Sequence, residues 1–271
     1  MPTQHLLPRP DVLQHFHSGG AQRVPTGSEA ATPLIVDWAS SWREVREAQR
    51  LRYRVFAEEL GARVPSRLHG LDADEFDAYC DHLLVREGGG RSVIGTYRVL
   101  TPNAAEAAGG SFVDAAFDLA PLRAARPRLA EVGRACVDAR FRNGGVILAL
   151  WTALARYMAE QRLDTLAGSC SVPLHDGGAA VSSLWQRLSR LQASAPDCRV
   201  QPRLPFPVHL MGRDAEVEEP ALLKGYLRLG AQVMGPPAWD PDFGCADLPL
   251  LLRLEDVPAR YRQHCWGARQ A

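Results

Sequence analysis

A single lysine, Lys224, stands among the 31 basic residues of this 271-residue chain, and 31 acidic residues balance them to a formal charge of zero. A protein that grips nucleic acid through its phosphates carries a basic excess or a basic stripe. Neither is present, and arginine in place of lysine throughout is a compositional bias, so no nucleic-acid partner is expected. Cysteine is sparse. Cys80, Cys136, Cys170, Cys198, Cys245 and Cys265 are dispersed, without a C-x-x-C pair or a histidine at ligand spacing, which argues for free thiols in a reducing cytoplasm and against a zinc site. The run Cys80-Asp81-His82 invites a nucleophile or metal reading, but nothing else supports it and it reads as the start of a strand. Long apolar runs are missing too: Val146 to Ala155 is about half of the ~20 residues a membrane span needs. The first twenty residues lack the basic start, apolar stretch and small-residue cleavage site of a secretion signal. The expectation is a cytoplasmic protein, soluble or at most peripheral to the inner membrane.

What is present is an ordinary globular balance, 46% hydrophobic and 23% charged, enough for one large α/β domain. Residues 1–32, rich in Pro, Gly, Ser and His without periodicity, read as a flexible tail. The domain then spans 33–271, with a C-terminal acceptor-side extension from about 205. LIVDW (Leu34 to Trp38) reads as a strand, and Ser41 with Glu44 as the capping box of a helix that runs to Gly61. A polar loop from Gly61 to Tyr79 follows, long enough to suggest function. His82 to Arg86 and Ser92 to Leu100, joined by Glu87-Gly-Gly-Gly90, form a hairpin. A strand at Leu129 to Val137, a helix from Gly145 to Gln161 and a strand at Leu163 to Val172 make a strand-helix-strand unit. Helices at Gly177 to Leu191 and Pro220 to Leu229 and a strand at Leu248 to Leu254 complete a mixed α/β fold, a mixed sheet with helices on both faces.

Opposite charges recur in contexts that are otherwise strand or loop: Arg52-Tyr-Arg-Val-Phe56, Asp74-Glu-Phe-Asp77, Ile94-Gly-Thr-Tyr-Arg98 and Glu131-Val-Gly-Arg134. Glu131 and Arg134 are three apart, so they face opposite sides of a regular strand unless a bulge at Gly133 intervenes. A bulge would free backbone amides to hold a thioester carbonyl and the oxyanion formed when an amine attacks it. The attacking ammonium must lose a proton, so a carboxylate of raised pKa beside that place is the natural general base, and Glu131 is the first candidate. The alternative is a buried ion-pair network of Glu131, Arg98, Arg134, Asp74 and Asp77 that only pins the loop.

These residues resemble, in order, the R-x-x-V-F helix, D-x-x-D loop, G-T-Y-R strand and E-x-x-R strand of one branch of the GNAT superfamily. That branch comprises ornithine-lipid N-acyltransferases, long-chain N-acyl amino acid synthases and, more distantly, acyl-homoserine-lactone synthases. The resemblance runs from Arg52 to about Trp266. It implies a V-shaped GNAT-like sheet with the donor's pantetheine in the splay between the strands at 129–137 and 163–172. It also implies Glu131, Arg98 and Arg134 as catalytic residues, supported by Arg52, Phe56, Asp74 and Asp77. Acetyl-CoA users cradle pyrophosphate in a Q/R-x-x-G-x-G/A loop. Here Arg140-Phe-Arg-Asn-Gly-Gly145 departs from that spacing, which fits a donor with one phosphate, the phosphopantetheine thioester of acyl carrier protein. Gly133, Arg142, Asn143, Gly144 and Gly145 are then donor-binding residues, with a plain glycine-rich helix start as the alternative. Arg123, Arg126, Arg128, Arg140 and Arg142 would offer an acidic carrier protein a basic mouth. The C-terminal part resembles the ornithine-lipid enzymes, so L-ornithine is the first acceptor implied, with Asp240 and Asp247 on its side, although such loop aspartates also serve turns. Trp151, Trp185, Phe206 and Trp239 could line an acyl tunnel or simply fill a core. No bound cofactor or metal is implied. The competing readings are another amine acceptor, homoserine-lactone synthesis, short-chain acetylation and a non-catalytic acyl-binding module.

Overall fold

The computed structural model describes residues 21–24, 33–64, 68–90, 92–191, 198–210 and 219–266. Most of the expected tail, 1–20 and 25–32, lies outside them. The chain forms two compact units, one of residues 1–109 and 133–157 and one of residues 110–132 and 158–271. This division does not follow the expected one near 205.

Within the expected tail, strand β1 (Gln22–Val24) pairs antiparallel with β2 (Leu34–Trp38). The physical reason is that β2 would otherwise present a row of unpaired amides and carbonyls, which any extended segment can satisfy. Helix α1 (Trp42–Tyr53) starts at Ser41, whose hydroxyl accepts from the Glu44 amide at 3.4 Å. The Glu44 carboxylate reaches back to the amide of Ser40 at 2.8 Å, one residue before the partner that a strict capping box would use. Val45, Ala48 and Leu51 are buried against Leu84, Val93 and Cys136. The helix widens into a π-helical turn, Arg54–Glu59, and ends before Gly61, whose φ of 73° suits glycine. The hairpin of β3 (Asp81–Glu87) and β4 (Val93–Leu100) follows, with a register irregularity between Val85 and Arg86. Leu84 faces α1, and its partner Thr96 shares that face. The preceding residue of β4, Gly95, faces the other way. Helix α2 (Pro102–Ala107), capped by Thr101, closes this stretch.

The second unit opens with α3 (Phe112–Ala116) and β5 (Phe117–Asp118). Strand β6 (Leu129–Val137) runs out of it after Val132, and α4 (Gly145–Glu160) belongs to the first unit as far as Tyr157. A Cβ on Gly95 would sit 2.4 Å from Val146 Cγ1 and 3.6 Å from Leu150 Cδ1, so α4 covers the sheet face opposite α1 and glycine is what lets it approach. The chain continues through β7 (Thr165–Pro173), α5 (Ala179–Leu191), β8 (Gln201–Pro202), α6 (Ala221–Arg228), β9 (Gln232–Val233), β10 (Ala238–Asp240), β11 (Cys245–Arg253) and α7 (Ala259–Trp266). The ladder of β6 with β7 is parallel and spans Leu129–Val132 and Thr165–Gly168. At its last rung a Cβ on Gly168 would lie 2.7 Å from the Val132 carbonyl oxygen. Strand β7 pairs antiparallel with β11 along the full length of both, β11 also pairs with β9 and β10, and β5 pairs with β8. Parallel and antiparallel ladders joined through helices make the mixed α/β architecture that the patterning implied. The core of this unit gathers Val113, Phe117, Leu129, Val200, Met234, Ala238 and Leu251. Met234, Ala238 and Leu251 all lie beyond residue 205, so the C-terminal stretch contributes side chains to this core. No described helix is long and apolar enough to cross a membrane.

Candidate active site

Arg52, fully buried at the end of α1, donates through Nε to Asp72 Oδ2 at 2.9 Å, through Nη1 to Asp77 Oδ1 at 2.9 Å and through Nη2 to Asp77 Oδ2 at 2.7 Å. Nη2 also donates to the Asp72 carbonyl. From β4, Arg98 Nη1 donates to Asp74 Oδ1 at 2.6 Å and to Asp77 Oδ1 at 2.9 Å. Arg134 adds Nε 3.2 Å from Asp72 Oδ2 and Nη2 3.5 Å from Asp74 Oδ2, with its guanidinium 6.0 Å from the centre of the Phe56 ring. Gln49 donates to Asp77 Oδ2 at 2.8 Å, and His82 Nε2 lies 3.0 Å from the Asp77 carbonyl. Asp74 also caps the short helix Glu75–Ala78, in a capping box with Asp77. The first unit thus holds Arg52, Arg98 and Arg134 against Asp72, Asp74 and Asp77, three charges against three, in a lattice of shared oxygens.

Electrostatics fixes the protonation of Asp77, His82 and Cys80. Burial alone would raise the Asp77 carboxyl, but Arg52 and Arg98 outweigh it and hold it well below the usual carboxylate range. Burial lowers the His82 imidazole to about 4 against the opposing pull of Asp77, so this histidine is neutral. Burial pushes the Cys80 thiol up, which leaves no thiolate for a Cys-His nucleophile. The cluster joins Arg52, Arg98, Arg134, Asp74 and Asp77 of the opposite-charge motifs, and Asp72, Gln49 and His82 are members the motifs did not single out. Arg98, expected among the catalytic residues, lies 2% exposed with Asp74 and Asp77 around it. Removing one partner from such a buried set costs about 3–5 kcal/mol.

Glu131 belongs to the second unit. Its Oε2 accepts from the Val113 amide at 2.9 Å, and the Ser111 hydroxyl hydrogen-bonds to it as well, so it is held by the start of α3. It is 5% exposed. Burial raises its carboxyl above the ordinary glutamate value, Ser111 and Val113 pull it down by less, and Asp114 adds to the rise. A carboxylate so placed takes up a proton more readily than one in water. The backbone irregularity expected at Gly133 falls on Arg134, whose φ of 52° is left-handed. Such a conformation in a non-glycine residue costs about 1–3 kcal/mol and concentrates at functional sites. It interrupts the strict alternation of β6 between Glu131 and Val137.

At the start of α4, the Asn143 side chain accepts from the Gly145 amide at 3.2 Å, and Gly144 has φ 92°. Arg142 donates through Nε to the Val137 carbonyl at 3.0 Å, and its two terminal nitrogens clasp Glu59, with Nη2 at 2.8 Å. Four of the five arginines expected to form a basic mouth carry carboxylate partners: Arg126 with Asp114, Arg128 with Asp164, Arg140 with Asp138 and Arg142 with Glu59. The local charge is therefore much smaller than the sequence suggested. Asp240 Oδ1 accepts from the amides of Asp242 and Phe243 at 3.1 and 2.9 Å, the work of a turn residue. Asp247 Oδ1 accepts from Ser171 Oγ at 2.6 Å across β7 and β11, and both aspartates raise the Cys245 thiol beyond what its burial does. Phe206 is buried, whereas Trp239 is 43% exposed and does not fill a core.

A family profile described as "Acetyltransferase (GNAT) domain" matches residues 51–152, which include Glu131, the start of α4 and, apart from Gln49, the Arg52 cluster. The L-ornithine N(alpha)-acyltransferase of Rhodobacter capsulatus is 35% identical over 86% of this chain and 96% of its own. That of Brucella abortus is 33% identical over 84% of this chain and 87% of its own. The chain belongs to the L-ornithine N(alpha)-acyltransferase family. It is an acyltransferase. Among solved structures, the acyl-homoserine-lactone synthase LasI superposes with a TM-score of 0.53 at 17% identity, over 89% of this chain and 98% of that one. FeeM, an N-acyl amino acid synthase from uncultured soil microbes, does so with a TM-score of 0.51 at 16% identity, over 82% and 92%. At these identities the likeness establishes the GNAT-type fold shared by an N(alpha)-acyltransferase and these synthases.

Proposed function

We propose that the protein transfers a (3-hydroxy)fatty acyl group from the phosphopantetheine thioester of acyl carrier protein to the α-amino group of L-ornithine, giving lyso-ornithine lipid. The observation that carries this reading is Glu131: a carboxylate 5% exposed, with its pKa raised by burial, in a chain whose relatives bear the name of the reaction. The raised pKa suits a base working near neutrality. Glu131 takes one proton from the α-ammonium, directly or through water. The freed nitrogen lone pair attacks the thioester carbonyl, a C–N bond forms, and the carbonyl oxygen becomes an oxyanion held by amides of the backbone at Gly133. The tetrahedral species collapses with rupture of the C–S bond. The nitrogen's second proton leaves, the thiolate takes up a proton, and free carrier thiol departs.

Within the first unit, Arg52, Arg98, Asp72, Asp74 and Asp77 position Arg134, which lies over Phe56, in our reading. Arg142 meets the donor's single phosphate by exchanging its Glu59 partner, with Asn143, Gly144 and Gly145 shaping the turn. Asp247, whose carboxylate is oriented by Ser171, serves the side-chain ammonium of ornithine, and Asp240 keeps its turn. The product is amphiphilic and its destination is a bilayer. The test is mass spectrometry of lipids after incubation of the pure protein with 3-hydroxyacyl carrier protein and a pool of amino acids, with acyl-CoA as the control donor. N-acylated ornithine formed only with carrier protein is the expected result. A different acylated amine would replace the acceptor, product from acyl-CoA alone would replace the donor, and no product at all would remove acyl transfer as this chain's activity.

A further inference from the structure

Three large apolar side chains of the second unit face solvent: Leu204 at 49% exposure, Leu210 at 72% and Trp239 at 43%. Two of them are neighbours, and the third follows six residues after Leu204. The Trp239 amide donates to the Leu204 carbonyl at 2.8 Å and Pro205 bridges Ala238 in the antiparallel sense, so Leu204 and Trp239 are cross-strand neighbours with side chains on one side. Buried Phe206 anchors the segment through its amide to the Pro237 carbonyl at 3.0 Å, and Leu210 ends the turn Val208–Leu210 that follows. That turn is held by the Ser182 hydroxyl on the Val208 carbonyl at 3.0 Å.

The polar company of these residues is basic. Residues 199–210 contain Arg199, Arg203 and His209, all exposed, and no carboxylate. Arg203 Nη2 lies 3.3 Å from Asp114 Oδ1, and Arg126 lies 3.1 Å from Asp114 Oδ2, so two guanidinium groups share one carboxylate and a positive charge is left over. On the other strand, the Asp240 carboxylate beside Trp239 accepts from its own turn, and exposed Asp242 follows in that turn.

We propose that this patch is the face by which the protein rests on an anionic lipid surface, with the Trp239 indole at headgroup level, the two leucines in the acyl boundary and the arginines on lipid phosphates. Three side chains cover far less than the roughly 1,200 Å² that a stable protein interface buries, whereas shallow insertion of a few apolar groups beside arginines suffices for reversible membrane contact. The proposal rests on the acyl-transfer reading only for why a bilayer is met.

The test is sedimentation of the full chain with phosphatidylglycerol-containing vesicles and with phosphatidylcholine vesicles, at low and high salt. Wild type should sediment with the anionic vesicles and lose binding at high salt. The double variant Leu204→Ser with Leu210→Ser should bind about tenfold more weakly while its circular dichroism and its turnover with soluble donor stay at wild-type level. Arg203→Ala should flatten the salt dependence. Wild type that ignores both vesicle types, or a double variant that binds as wild type does, overturns the proposal. A dimer in light scattering that the double variant abolishes also overturns it, by giving the patch to a second copy. Vesicle binding without turnover would sink the acyl-transfer reading and leave the lipid surface standing; turnover without vesicle binding would do the reverse.

Discussion

At the scale of single residues, Glu131 and His82 respond to burial in opposite ways that experiments can separate. Glu131 has a folded-state pKa raised above its unfolded value, so its ionised form costs stability, and that cost disappears as pH falls through the raised pKa. Gln at this position keeps an oxygen for the Val113 amide and removes the buried charge. Glu131→Gln should therefore cut turnover about 100-fold or more while the melting temperature at neutral pH stays level or rises. A parallel loss of both would make Glu131 only a brace for α3. In the wild type, turnover should fall as pH drops through the raised pKa, because the base must be ionised, and this limb should vanish in the Gln variant. His82 has its pKa lowered to about 4, below the ordinary histidine value. The unfolded chain then binds the proton more readily, so His82's share of stability is complete above the ordinary value of about 6.5 and is lost as pH falls from there towards 4. Urea titrations across that window should show stability falling by up to about 1.4 kcal/mol per pH unit, and His82→Gln should flatten this part of the curve. An unchanged curve would mean that other groups set the acid limit.

At the scale of elements, what was legible in the sequence depended on periodicity. The hairpin of β3 and β4, strand β6, helix α4 and strand β7 are long enough for alternation or 3.6-residue spacing to show, and they stand where it placed them. The two-residue strands β5, β8 and β9 have no period at all and exist because the core around Phe117 and Val200 brings their backbones together. The π-helical turn was hidden because Val55 and Phe56 continue a helical pattern that a π turn only slightly rotates. Asp72 escaped notice in a loop where three aspartates sit close together, and only burial between Arg52 and Arg134 distinguishes it. Gly95, in contrast, stands in the G-T-Y-R strand motif, and its physical reason is the approach of α4. Gly95→Ala should therefore destabilise the protein by about 1–3 kcal/mol through overpacking, and adding Val146→Ala should recover much of the loss in chemical denaturation. If the double variant is no better than the single one, the contact with Val146 is not the reason for glycine at this position.

At the scale of the whole molecule, the question is whether residues after about 205 are an appendage carrying the acceptor side or part of the framework. An appendage can be removed and leave a folded remainder. In the structure β11 pairs with β7 along nine registers, from Cys245 opposite Pro173 to Arg253 opposite Thr165, and Met234, Ala238 and Leu251 fill the core that contains Leu129 of β6. The first rungs of the β6–β7 ladder, where Glu131 sits opposite Ala167, belong to the same unit. Each unit is also built from two stretches of chain, with β6 running from one to the other after Val132, so neither is a contiguous piece that can be cut free. A chain ending at Leu204 should then lose the slow hydrogen exchange of the β7 amides, become sensitive to protease across 158–204 and show no turnover, because β7 is left with one paired edge and an uncovered apolar face. Persistent protection of β7 in that truncated chain would return the C-terminal stretch to the status of an extension. In that event the donor half of the reaction, measured as binding of acyl carrier protein, should survive without it.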